Sequence, residues 1–87
     1  MEVQVGKVTH YYNRISVAVL DLSGELEVGE MIHIFGRITD FDQRVTSMEI
    51  EHQKIQSAGP GTEVALKVIE MVRKGDVVFK YVEDDET

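Results

Sequence analysis

Three histidines, His10, His33 and His52, are the side chains in this chain best suited to metal ligation or proton transfer. A zinc site needs three or four converging ligands, and no His-x-x-x-His or comparable local pair occurs. Carboxylates such as Glu49 or Glu51 would have to complete any such set. His33 stands between Ile32 and Ile34, so on a strand it faces away from both. All three are read as surface or packing residues, and neither a metal nor another cofactor is expected. Ser16, Ser23, Ser47 and Ser57 lie in no nucleophile elbow, and no Ser-His-acid order can be singled out. Asp40 and Asp42 flank Phe41 and could form a carboxylate pair for acid–base work or metal binding. Their place in the polar stretch Thr39-Asp40-Phe41-Asp42 assigns them instead to capping and solvating a loop. A Gly-x-x-x-x-Gly-Lys-Ser/Thr phosphate loop is also lacking. No catalytic residue is assigned, and the chain is not expected to be an enzyme.

Tyr11, Tyr12, Asn13 and Arg14 carry a different chemistry. Two aromatics followed by an amide and a guanidinium at a strand-to-strand turn can present stacking and cationic groups together. Aromatic and arginine side chains are also the commonest anchors of protein interfaces. These four residues, with Arg37 on the connection from Gly36 to Asp42, form the expected partner-binding edge. A protein is the expected partner.

The elements that must position these residues are short and β-branched. Val3 to about Tyr11, Ile15 to Val19, Ile32 to Ile34, Met48 to Ile50, Val64 to Val68 and Val77 to Tyr81 alternate apolar and polar positions. Period-2 alternation marks half-buried strands. The phase slips at Gly6-Lys7 and between Val45 and Met48, where a bulge would restore the inward set. The segment from Glu63 to Lys74 could also be drawn as a helix. Its apolar set fits period 2 better and is rich in β-branched residues, which favours a strand. One helical turn near Glu70 to Arg73 stays open. Six or seven strands without long helices predict an all-β fold, a small closed barrel over residues 1–82, because closure removes unpaired edges. The run from Glu83 to Glu86, within residues 83–87, is expected to be a solvated, flexible acidic tail.

One local pattern occurs three times: a glycine, an acidic or hydroxylated residue, then a strand. It reads Gly29-Glu30-Met31, Gly61-Thr62-Glu63-Val64 and Gly75-Asp76-Val77, each shortly after an apolar residue. Gly29, Gly61 and Gly75 are assigned to structural turns, with Asp76 accepting backbone N–H groups. With Val5-Gly6-Lys7-Val8, Val17 to Val19, Leu26 to Gly36, Val45 to Met48, Ala58 to Leu66 and Arg73 to Val78, the chain resembles domain 2 of the translational GTPases, the β-barrel that follows the G domain of elongation factor Tu. The resemblance spans about residues 3 to 81. Thr39 to Gln43 and Met48 to His52 are more similar to stand-alone elongation-factor-like barrels. The chain also resembles the C-terminal appendage of a collagenase-like peptidase family. These resemblances imply a binding module that docks on a protein, in translation or RNA modification. The alternatives are an accessory domain or subunit of a peptidase-type enzyme, or weak RNA or tRNA binding.

Charge and composition bound these readings. Nine basic against sixteen acidic residues leave a net charge of −7, whereas phosphate neutralisation calls for a basic face. Nucleic acid is therefore disfavoured as a partner. The 87 residues contain no cysteine, which excludes disulfides and thiolate chemistry. No apolar run reaches the ~18 residues of a membrane span, and the first residues show no leader. A cytoplasmic location is expected.

Overall fold

The alternating runs become strands because each buries one face and solvates the other. A computed structural model describes residues 1–83. It contains ten strands: β1 (Glu2–Tyr12), β2 (Val17–Leu22), β3 (Leu26–Glu27), β4 (Met31–Phe35), β5 (Asp40–Arg44), β6 (Met48–Ile50), β7 (Gln53–Ile55), β8 (Ser57–Ala58), β9 (Glu63–Lys67) and β10 (Val77–Tyr81). No helix occurs among the described residues; after β9 the chain runs irregularly to β10, without a turn of helix at Glu70 to Arg73. The tail expected over residues 83–87 lies outside the described residues, apart from Glu83.

Eight strands form one sheet in the order β5-β4-β10-β1-β2-β9-β6-β7, and β3 pairs with β8 in a separate ribbon. All these pairings are antiparallel. β1 carries two register shifts, between Gln4 and Gly6 and between Val8 and His10. The second expected slip is not a bulge: Val45 to Ser47 form the loop between β5 and β6.

The inward side chains make a single core. Val5, Val8, Leu20, Ile32, Met48, Leu66 and Val78 are each at most 1% exposed and belong to one cluster. Burying an aliphatic side chain of this kind is worth about 1.5–3 kcal/mol.

Ten strands form rather than six or seven, and the eight-stranded sheet is not closed by a backbone ladder. β5 and β7 are the two ends of the sheet order, and no backbone ladder joins them. The sheet nevertheless rolls far enough to bring β5 beside the end of β9. There Gln43 Nε2 donates to the Lys67 carbonyl at 2.9 Å, and the Ile69 N–H donates to Gln43 Oε1 at 2.8 Å. A side-chain amide thus bridges the gap that a closing ladder would have filled.

Candidate functional site

Alternation on β4 places Met31, His33 and Phe35 on the outer face, opposite buried Ile32 and Ile34. β10 supplies Phe79 and Tyr81 to the same face, with Phe79 directly across from His33. The His33 ring lies 5.8 Å from Phe35 and 6.0 Å from Phe79, and it is near parallel to Tyr81 at 6.4 Å. These are the spacings at which aromatic rings attract one another. Phe35 is 49% exposed and Tyr81 40%, so the stripe is only partly covered.

Carboxylates border it. His33 Nδ1 is 2.7 Å from Glu2 Oε1 and Nε2 is 2.6 Å from Asp40 Oδ1. Both contacts can be donated only by the doubly protonated ring. The hydrogen bonds to Glu2 and then to Asp40 raise the His33 pKa above 6.5, against an opposing effect of burial. The Tyr81 hydroxyl donates to Asp42 Oδ1 at 2.8 Å. That bond, with desolvation next, pushes the phenol up to about 12.

The two carboxylate contacts favour the protonated, cationic ring. Both ring nitrogens of His33 are engaged, each by a different carboxylate. Among the described residues no group of three His, Asp or Glu side chains is placed to hold a metal. What the face offers is an aromatic centre with a charged border, the composition of a protein contact surface.

The residues singled out from the sequence fall elsewhere. Tyr11 is half-buried and packs against the core. Tyr12 is 50% exposed, with its ring centroid 4.3 Å from that of His10. Asn13 and Arg14 are exposed in the β1–β2 turn. Arg37 lies in the β4–β5 turn and is not brought to that group. Val77 pairs with both Lys7 and Phe35, so Phe35 is level with Lys7 while β1 continues to Tyr12. Gly29, Gly61 and Gly75 have φ of 100°, 85° and 96°. Asp76 is buried, and its Oδ2 accepts the Arg73 N–H at 2.8 Å.

Glu2, His33, Phe79 and Tyr81 were not singled out for partner binding. The usable signal was the type of the outward residues. Met31, Phe35, Phe79 and Tyr81 are large apolar or aromatic residues at outward strand positions.

Comparison with known proteins adds a second line. The chain is 34% identical over 79 residues to an uncharacterized protease of Methanocaldococcus jannaschii, covering 90% of this chain and 19% of that protein. It is 33% identical over 82 residues to a collagenase of Porphyromonas gingivalis, covering 92% of this chain and 20% of the collagenase. The chain is homologous to a segment of these collagenase-like proteins. It spans about a fifth of their length. No family profile matches it. In fold it is similar to the C-terminal domain of a Geobacillus thermoleovorans protein assigned to the U32 peptidases. One structure of that domain gives a TM-score of 0.84 at 21% identity, covering 90% of this chain and 91% of that one. Its selenomethionine form gives 0.82 at 20% identity, with 86% and 95% covered. These relatives and neighbours are peptidase and collagenase proteins, not elongation factors, which overturns the translation-related reading of the glycine turns. No helix among the described residues is long and apolar enough to cross a membrane.

Proposed function

We propose that this chain is a non-catalytic accessory domain of a collagenase-like protein, docking through the outer face of β4 and β10 onto the rest of that protein. The observation that carries the reading is the homology, which runs over 90% of this chain yet only 19% of the M. jannaschii protease. A unit matching so small a share of a longer chain is suited to act beside another domain. The outer face supplies the contact surface: aromatic at its centre, charged at its border, and held rigid by the His33 and Tyr81 hydrogen bonds. The occupant is the remaining body of the collagenase-like chain, in the same polypeptide or as a separate subunit.

The test is calorimetric titration of this chain into the M. jannaschii protein lacking its own matching segment. Saturable binding that Phe79→Glu weakens at least about tenfold supports the proposal. No binding, with the fold of the chain intact, rejects it. Hydrolysis of denatured collagen by the isolated chain would reject the non-catalytic part.

A further inference from the structure

A cleft of about 600 Å³ opens between the β4–β5 turn and the segment leading into β10. Its apolar lining includes Phe35, Ile38 and Val77, and its cations are Arg37, Arg73 and Lys74. Three of the chain's nine basic residues therefore meet at one opening, although the net charge is −7. Among the described residues none of the three is in a salt bridge. The one acid of the lining, Asp76, is buried and turned inward. Its Oδ2 accepts the Arg73 N–H, while its Oδ1 lies only 1.9 Å from where a Cβ on Gly36 would stand.

The walls are held in place. Gly36 N–H donates to the Thr39 carbonyl at 2.8 Å, which closes one turn, and Asp76 N–H donates to the Arg73 carbonyl at 3.0 Å in the other. Val8 N–H donates to the Asp76 carbonyl and Gly75 N–H to the Val8 carbonyl, both at 2.8 Å, anchoring the second turn to β1. Ile38, at 70% exposed, stands at the mouth with nothing burying it.

We infer that this cleft binds an acidic peptide segment in which an apolar side chain is flanked by carboxylates. The apolar side chain would fill the space beside Phe35, Ile38 and Val77, while the carboxylates meet Arg37, Arg73 and Lys74. Guanidinium groups suit carboxylates because their N–H donors match both oxygens. A local cationic opening in an acidic surface also selects its ligand: a basic segment gains nothing there. A nucleic acid offers phosphates but no compact apolar side chain to fill the space beside Phe35, Ile38 and Val77. The inference goes beyond the docking of the outer face: the two surfaces share Phe35, but Arg37, Arg73 and Lys74 take no part in the His33 cluster.

The experiment is an NMR titration of the ¹⁵N-labelled chain with the capped peptide EDLFDE. Saturable shifts are expected at the amides of Gly36, Ile38 and Gly75. Affinity should fall severalfold between about 50 and 300 mM salt, as screening of exposed charges requires. The double variant Arg37→Glu, Arg73→Glu should bind at least about tenfold more weakly while keeping the spectrum of a folded chain. Should that variant not fold, Ile38→Asp and the salt series on the unmodified chain carry the test. Phe79→Glu should leave the affinity unchanged, which separates this site from the outer face. The inference is overturned if no saturable shifts appear at peptide concentrations up to about 5 mM, a weak limit for specific recognition. Equal binding of KKLFKK, or a ten-nucleotide oligouridylate shifting the same amides at lower concentration, would overturn it as well.

Discussion

Gln43 and Lys67 lie on strands that never pair, yet the Gln43 amide donates to the Lys67 carbonyl at 2.9 Å. With the Ile69 N–H donating back to Gln43 Oε1, the side chain imitates one rung of a sheet ladder. Gln43 is 4% exposed, and its two backbone bonds are part-buried. Gln43→Leu keeps much of the volume and removes the partner of the part-buried Lys67 carbonyl and Ile69 N–H. It should destabilise the fold by about 1–3 kcal/mol, the cost of leaving such groups unsatisfied. Urea denaturation checks this. An unchanged midpoint would mean the roll of the sheet is held by core packing alone.

His33 supplies a pH dependence whose sign follows from its two carboxylates. Its folded pKa is raised above 6.5, chiefly by Glu2 and then by Asp40. Its contribution to stability is therefore complete below the unfolded value of about 6.5, and it is lost as pH rises through the raised folded value. Thermal midpoints of the chain and of His33→Gln, compared from about pH 5.5 to 8.5, should differ most at the acid end and converge on the alkaline side. Glu2→Gln combined with Asp40→Asn should lower the His33 midpoint read by NMR. A midpoint left unmoved would mean these carboxylates do not hold the ring.

The hairpin between β6 and β7 is built on unfavourable residues. Ile50 pairs with Gln53, so the loop is Glu51-His52, with φ of 50° and 68°. Two-residue turns with both φ values positive favour Asn-Gly, because other side chains crowd the backbone there. Glu51→Asn with His52→Gly should stabilise the chain by about 0.5–2 kcal/mol. The melting temperature is the measurement, and a fall would show that the pair makes contacts worth more than the relief of backbone strain.

Two glycines should respond to substitution for opposite reasons. Around Gly75 nothing lies within 4 Å of an added Cβ, but its φ is 96°. Gly75→Val should therefore cost about 1–3 kcal/mol through backbone strain alone. At Gly36 the obstacle is Asp76, whose Oδ1 would lie 1.9 Å from the new carbon. Gly36→Ala must displace that carboxylate and break its bond to the Arg73 N–H. Gly36→Ala in an Asp76→Ala background should consequently cost much less than Gly36→Ala alone, in a double-mutant denaturation cycle. Simple additivity would contradict the contact.

The sequence alone determined that this is an all-β chain and where six of its strands run. Alternation is a local property, and Val17 to Val19 or Val64 to Leu66 would show it in any sheet. Turn positions were equally legible, because Gly29 and Gly75 supply a backbone geometry that other residues adopt only with strain. Thr39 to Asp42 was read as a polar break, although Asp40–Arg44 forms β5. The inward residue there is Gln43, whose acceptability depends on Lys67 and Ile69 coming within reach. Those positions are 24 and 26 residues away in sequence, and only the rolling of the sheet brings them close. His33 shows the same limit: its partners Glu2 and Asp40 are 31 and 7 residues distant. Which strands lie side by side decides whether an outward histidine meets solvent or two carboxylates. Strand order is set by the packing of the whole core and not by any one segment, so the aromatic face and the cationic cleft belong to the tertiary structure.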